Sequence, residues 1–338
     1  MKRQGGLFDR LVSFHHLQGA AVLAARGKHR SQEVARFLFD LEIEILRLRD
    51  GLMLGTYRPG PFRVFEISDP KRRVIAAAPF RDRVVHHAIC LLLEPVFERF
   101  GIHDSYACRI GKGPQKALRR AQQFLRSNRY FLKLDVTKYF ASVDHAILKR
   151  LIRRKIKDAR FLDLIDLLID HTPEAGDPGR GLPIGNLTSQ HFANFYLSFL
   201  DHFVLQEIRP GGYVRYMDDM VLFAPDKRFL RVAHAAIAAY LSEALSLSLN
   251  ESATILAPAH QGLPFLGFRV FPGVMRLQRQ SLRRFRRKLR SRHRDVARSR
   301  GEEATLIDSI RSLVGYVQHG DTRNLRRFLL DALEPSME

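Results

Sequence analysis

Two carboxylates stand side by side in Tyr216-Met217-Asp218-Asp219. The strand-like runs Val214-Arg215-Tyr216 and Met220-Val221-Leu222-Phe223 flank them, which predicts a hairpin with the acids at its tip. Adjacent acids between apolar strands are costly unless positive charge compensates them. A divalent cation can do so, and carboxylate oxygens suit Mg²⁺. Asp is also common in solvated turns, so this string by itself leaves a plain turn equally open.

A further acid, Asp135, ends the largely apolar run Phe131-Leu132-Lys133-Leu134. Active sites of α/β sheets collect at the C-terminal ends of core strands. A simple strand-end acid is the bland alternative. If this strand lies beside the hairpin, Asp135 and Asp218 can clamp two metal ions. Two ions about 3.5–4 Å apart activate a hydroxyl and stabilise the leaving oxygen of an in-line displacement at phosphorus. Asp144 reads instead as an acid complementing a helix N-terminus.

These acids need a scaffold. Val34, Phe37, Leu38, Leu41, Ile45 and Leu48 recur at helical spacing, which predicts one helix over 31–50 with Ser31 as N-cap. Residues 62–67 alternate like a strand, Ser68-Asp69-Pro70 turns, and residues 73–76 return. Helices are expected over 84–100, 146–169 and 187–206, with a Gly- and Pro-rich loop over 172–183. A short strand over 130–136 and the 214–224 hairpin complete an α+β reading.

The chain has 338 residues, and 56 Lys+Arg against 35 Asp+Glu leave a formal charge of +21. A hydrophobic content of 46% can build a core, which excludes wholesale disorder. Cys90 and Cys108 cannot make a disulfide framework or a four-ligand zinc site. With no signal peptide in view, they point to a reducing interior. No apolar run is long enough to span a bilayer. The charge makes nucleic acid the first candidate partner and an acidic membrane surface the second. P-loop, serine-hydrolase elbow and zinc-protease strings are absent.

In order and content these motifs resemble the reverse transcriptases. Residues 131–140 look like the first catalytic motif of that family and Tyr216–Asp219 like the second. The resemblance implies a right-hand polymerase, its palm an antiparallel sheet with helices, its thumb helical. Asp135, Asp218 and Asp219 would be catalytic. Asp135, Val136, Asp218 and Asp219 would form the metal set for two Mg²⁺, with Mn²⁺ as a substitute. Phe140 matches the aromatic that blocks a 2′-hydroxyl and so selects deoxynucleotides.

Lys71-Arg72-Arg73-Val74-Ile75 and the 79–86 segment resemble the fingers of the group II intron-like branch. Lys71 and Arg73 would there meet the incoming triphosphate. Ser105-Tyr106-Ala107-Cys108-Arg109-Ile110-Gly111-Lys112-Gly113 continues the motif, with Arg109 and Lys112 as phosphate contacts. In Leu182-Pro183-Ile184-Gly185-Asn186-Leu187-Thr188-Ser189-Gln190, the residues Ile184, Gly185 and Gln190 would lie at the nucleotide. Most of the branch carries Gln-Gly and Ser-Pro where this chain has Ile184-Gly185 and Ser189-Gln190. That variant resembles the reverse transcriptases of diversity-generating retroelements. These copy a template RNA into cDNA with frequent errors at adenines. Another intron-like or defence-associated enzyme, or a non-catalytic RNA-binding scaffold, is the alternative.

Phe265-Leu266-Gly267-Phe268 resembles the primer-grip hairpin. The preceding 249–254 segment lacks the lysine usual near Ser252, a candidate proton donor to pyrophosphate. Between 276 and 300, twelve Arg or Lys accompany one acid, Asp295. Leu282, Phe285 and Leu289 give a narrow docking face there. Arg283, Arg284, Arg286, Arg287, Lys288 and Arg290 cover the rest and would grip duplex phosphates.

The resemblance divides the chain into an N-terminal helical extension (1–60), fingers (61–130), palm with an interleaved fingers segment (131–272) and basic helical thumb (273–338). It leaves no room for an RNase H domain. Implied partners are template RNA, the cDNA–primer duplex, dNTPs and a basic, barrel-shaped accessory variability protein, with no membrane. The implied setting is the cytoplasm of a bacterial, archaeal or phage-infected cell.

Overall fold

A computed structural model describes residues 3–68, 72–173, 177–298, 303–325 and 327. The first helices are α1 (Leu7–Leu11), α2 (Phe14–Ala25), α3 (Gln32–Phe39) and α4 (Leu41–Met53). A hairpin of β1 (Arg63–Ile67) and β2 (Arg73–Ala77) leads to α5 (Phe80–Phe100) and α6 (Pro114–Ser127). Next come β3 (Tyr130–Leu134), α7 (Tyr139–Ser142), α8 (His145–Arg153), α9 (Ala159–Asp170) and α10 (Leu187–Phe203). They are followed by β4 (Gly212–Tyr216), β5 (Asp219–Ala224), α11 (Lys227–Leu245) and β6 (Ile255–Pro258). Last are β7 (Leu263–Phe265), β8 (Phe268–Val270), β9 (Met275–Leu277), α12 (Arg279–Ala297) and α13 (Glu303–Val317).

Two compact units interleave along the chain. One takes residues 1–103, 136–207 and 235–250; the other takes 104–135, 208–234 and 251–338.

In the first unit α5 is the central helix. It buries Val84, Val85, Ala88, Ile89, Leu92 and Leu93, and both α2 and α10 pack on it. The helix expected over 31–50 divides at Asp40, whose φ of −105° and ψ of 35° are not helical. Asp is a poor interior helix residue, and the break lets α3 bury Val34 and Phe37 while α4 buries Ile45, Leu48 and Leu52. The helix expected over 146–169 also divides. Asp144 caps α8 by accepting from Ile147 N at 3.0 Å, and Asp158 caps α9 by accepting from Phe161 N at 3.3 Å. The second carboxylate oxygen of Asp158 also accepts from Leu7 N at 2.7 Å and Phe8 N at 2.9 Å. One side chain thus satisfies the first amides of two helices.

The second unit is built on an antiparallel sheet in the order β4-β5-β3-β6. Its strands are short apolar runs, and Leu132 faces Leu222 on one side and Leu256 on the other. Ala117, Leu118, Ala121 and Leu125 of α6 cover Phe131, Val214, Val221 and Phe223. A second antiparallel sheet, β7-β8-β9, adds Phe265, Phe268 and Val270 to the same core. Beyond it α12 and α13 close on each other through Leu289, Leu313 and Val317, with Leu282 and Phe285 packed alongside. The narrow apolar face expected on the basic segment is therefore its docking face.

Candidate active site

The last ladder pair of the β4–β5 hairpin is Tyr216 with Asp219, so Met217 and Asp218 form a two-residue loop. Such loops need positive φ, and Met217 supplies it at 57° without being glycine. That conformation is held from below. Arg215, 1% exposed, donates through Nη1 to the Met217 carbonyl at 3.0 Å.

The backbone of Arg215 is fixed in turn. Its amide donates to Asp104 O at 3.0 Å, and its carbonyl accepts from Tyr106 N at 2.9 Å. Asp104 accepts from Tyr106 Oη at 2.8 Å and pairs with Arg120 of α6 at 3.0 Å. Burial, and then Asp104, push the Tyr106 phenol well above its ordinary range. The 105–113 segment therefore braces the β4–β5 hairpin. Within it, Arg109 Nη1 donates to Ser105 O at 2.8 Å, and the Lys112 ammonium lies 5.3 Å from the Tyr106 ring centre.

β3 runs antiparallel beside β5 with Leu134 opposite Met220. Asp135 directly follows Leu134, and Asp219 directly precedes Met220. The structure thus brings Asp135, Asp218 and Asp219 to one end of one sheet. Strand alternation gives Lys133, Val221 and Asp219 a common face. Lys133 Nζ lies 2.7 Å from Asp219 Oδ1.

The donors present are hard carboxylate oxygens. Among the described residues, no group of three or more His, Cys, Asp or Glu could hold a metal ion. Mg²⁺ is commonly held by one or two carboxylates with water and substrate phosphates completing the shell, so the donor set fits it.

The other expected nucleotide contacts lie in the first unit. Lys71 falls outside the described residues. Arg73 is exposed at the start of β2, whereas its neighbour Arg72 is held by Glu66 at 2.8 Å. Phe140 is half-buried on the short turn α7, and its carbonyl accepts from Leu182 N at 2.7 Å. Val136 is buried and bridges Leu249.

The segment carrying Ile184 and Gly185 is tied to β2. Ala76 N donates to Ile184 O at 2.8 Å, and Asn186 Nδ2 donates to Ala76 O at 3.0 Å. Gly185 has φ of 119°, and a β-carbon there would meet Ile75 Cγ2 at 2.8 Å. Glycine is thus demanded by the backbone itself. Gln190 is exposed on the first turns of α10.

On α12, Arg283, Arg287, Lys288 and Arg290 are exposed. Arg284 and Arg286 are half-buried, with the Arg284 guanidinium 5.1 Å from the Phe285 ring centre. At the hairpin resembling a primer grip, Tyr316 of α13 donates to Leu266 O at 2.8 Å.

Three structural contributors escaped the sequence reading: Lys133, Arg215 and Asn186. For the first two the signal was there, a charge inside an otherwise apolar strand.

Residues 68–270 match the family described as reverse transcriptase (RNA-dependent DNA polymerase). The chain belongs to the reverse transcriptase family. YkfC of Escherichia coli K12 is 27% identical over 300 residues, covering 75% of this chain and 77% of YkfC. The group II intron-encoded protein LtrA of Lactococcus lactis subsp. cremoris is 30% identical over 172 residues, covering 49% of this chain and 29% of LtrA. Apo telomerase from Candida tropicalis, truncated from its C-terminal domain, superposes with a TM-score of 0.52 at 12% identity. That match covers 68% of this chain and 59% of the telomerase, and it concerns the fold alone. This reverse transcriptase is α+β with antiparallel sheets, as a right-hand polymerase requires. The family activity is RNA-directed DNA polymerisation, and its members use divalent ions such as Mg²⁺. Among the described residues, no helix is long and apolar enough to cross a membrane.

Proposed function

We propose that this reverse transcriptase copies the template RNA of a diversity-generating retroelement into cDNA carrying errors at adenines. The polymerase part of the reading is carried by one observation: β3 ends with Leu134 opposite Met220, so Asp135 follows at the end of the sheet where the β4–β5 hairpin carries Asp218 and Asp219. The retroelement part is supported by Ile184-Gly185 and Ser189-Gln190 in place of the usual intron-type residues.

Asp135 and Asp218 would hold two Mg²⁺, with Val136 and Asp219 named beside them by the resemblance. When bound, these ions supply Lewis-acid activation of the primer 3′-hydroxyl and charge stabilisation at the transferred phosphate. The reaction joins that hydroxyl to the α-phosphate of a dNTP and releases pyrophosphate. Arg73 and Lys71 would bind the triphosphate, and Phe140 would exclude a 2′-hydroxyl. Ile184, Gly185 and Gln190 would border the nucleotide. Arg109, Lys112 and the α12 cations would hold nucleic-acid backbone. A basic accessory variability protein would associate through shared RNA.

A second reading, an intron-type or solitary reverse transcriptase, is favoured by the similarity to the group II intron-encoded protein LtrA. The deciding experiment is primer extension on a defined RNA with Mg²⁺ and errors counted by template base. Errors concentrated at adenines support the retroelement enzyme. Uniform errors favour the intron-type enzyme, and no product with any metal favours a scaffold.

A further inference from the structure

The β7-β8-β9 sheet carries two arginines side by side on its outer face. Its inner face buries Leu263, Phe265, Phe268, Val270 and Met275. Outside, Arg269 of β8 and Arg276 of β9 are exposed and stand directly opposite each other in the ladder. Like charges so placed destabilise a strand pair. Among the described residues, neither forms an ion pair with a carboxylate.

An aromatic ring accompanies them. Phe271, half-buried just after β8, lies over Gly262: a β-carbon there would meet Phe271 Cε1 at 2.6 Å and Arg269 Cγ at 3.0 Å. Gly262, at φ of 78°, lets the ring and the arginine stem rest directly on main chain. The Arg276 guanidinium is 5.8 Å from the Phe271 ring centre. The turn after β8 is tied to α6, because Gln122 Nε2 donates to Phe271 O at 3.1 Å and Arg126 Nε donates to Pro272 O at 2.8 Å. Arg269 Nε likewise donates to Gln261 O at 3.1 Å. Arg126 and Arg269 are thus each anchored through Nε to a carbonyl, and among the described residues their Nη groups meet no acceptor. A guanidinium held in this way keeps its fork free for phosphate.

We propose that Phe271, with Arg126, Arg269 and Arg276 around it, is a second binding site for single-stranded nucleic acid. One base stacks on the ring, and the arginines hold the neighbouring phosphates. Aromatic surface interleaved with cations suits a single strand of any sequence, whereas an acidic peptide would use the charges alone. The site stands apart from the hairpin that resembles a primer grip. That hairpin turns at Leu266-Gly267, whereas Phe271 follows β8 at the opposite end of the same sheet. The inference goes beyond the polymerase reading: the strand held here is one outside the template–primer duplex.

The test uses the full chain with short fluorescent oligouridine and oligothymidine, read by anisotropy with and without a saturating blunt RNA–DNA duplex. The oligonucleotide should bind beside the duplex. Phe271→Ala should weaken its binding about tenfold, the loss of one stacked base. Arg269→Gln with Arg276→Gln should flatten the slope of log affinity against log salt by about 1.4, since each single-strand phosphate contact contributes about 0.7. Arg269→Lys with Arg276→Lys should keep the slope, because the charges remain. Irradiation of wild-type protein with an iodouridine-substituted oligonucleotide should cross-link Phe271, which lies in the tryptic peptide 270–276. Tighter binding of oligouridine supports an RNA strand at the site, and tighter binding of oligothymidine a DNA strand.

Displacement of the oligonucleotide by the blunt duplex would overturn the proposal, because the strand would then occupy the duplex site. So would unchanged affinity in Phe271→Ala, or equal competition by an oligoglutamate of the same charge, which has no base to stack. The cross-link judges the ring even if Phe271→Ala fails to fold, and its absence from the 270–276 peptide would refute the stacking. Wild-type protein that binds and cross-links yet extends no primer counts against the polymerase reading alone.

Discussion

Arg215, fully buried under the β4–β5 hairpin, donates to the carbonyl of Met217, the residue immediately before the acid pair. Met217 is left-handed at φ 57°, a conformation that costs a non-glycine residue about 1–2 kcal/mol unless its surroundings fix it. The guanidinium is the fixing group.

Arg215→Met keeps the apolar stem and removes the donor. The Asp218 loop should then wander, and displacements of about 1 Å at a reacting group cost on the order of 10²-fold in rate. Single-nucleotide extension should show kcat falling by about that factor, with RNA affinity unchanged. Full kcat in a folded variant would show that the loop holds itself.

Asp218→Asn preserves the shape of the loop and removes one charge. Extension should be abolished. RNA affinity should stay within about twofold, because phosphate contacts dominate that term and the cations of α12 are untouched. Residual polymerisation near the wild-type rate would refute the assignment of Asp218.

Gly185→Ala tests a position that the family resemblance explains by nucleotide contact and the structure explains by packing. The added carbon would meet Ile75 Cγ2 at 2.8 Å and Ala76 O at 3.4 Å, at φ of 119°. Urea unfolding should show a loss of about 1–3 kcal/mol. Ile75→Ala in the same chain removes the close methyl but not the unfavourable φ, so it should rescue only part. Complete rescue would mean that φ contributes nothing.

The acids and their strands were readable because a short, largely apolar run ending in Asp135 and a two-residue gap between apolar runs each have few structural solutions. The cross-strand register was not readable, since pairing partners lie far apart in sequence. The ion pair between Lys133 and Asp219 depends wholly on that register. The helix breaks at Asp40 and between α8 and α9 were missed because continuous apolar spacing outweighed single Asp residues, whose capping acts through local amides. Asn186 was hidden for another reason. It sits in the N-cap position of α10, yet its side chain bonds across 110 residues to Ala76 O instead of capping the helix.

Phe140→Ala should open the nucleotide site to ribonucleotides. The half-buried ring lies on a helical turn that begins just after left-handed Lys138, edge-on to Tyr139 at 5.8 Å. Tyr139 is buried and donates to Ala193 O, so the turn is anchored and the ring of Phe140 has little freedom to move aside. Loss of a steric block of this size is worth about 10–200-fold in discrimination. Competing rNTP and dNTP incorporation should show selectivity falling by about 10²-fold, with dNTP use largely kept. Unaltered selectivity would make Phe140 a core residue only.

His86 gives the fold a pH dependence of definite sign. It is buried in α5, and its Nδ1 finds no hydrogen-bond partner among the described residues. Burial pushes its pKa down to about 4; nearby Asp82 pulls the other way, and His87, His171 and Arg83 push it lower. His191 is held at about 4 as well, by burial first and then by His87. The folded chain keeps both rings neutral, while the unfolded chain protonates them below about pH 6.5. The unfolded state therefore binds more protons between about pH 6.5 and 4, and stability falls as pH drops through that window. The slope reaches at most about 1.4 kcal/mol per pH unit for each histidine. His86→Gln keeps a neutral polar side chain and deletes one of these contributions. The melting temperature of the variant should decline less steeply than that of wild type from pH 6.5 to 5. Parallel curves would show that His86 is not excluded from protonation by the fold.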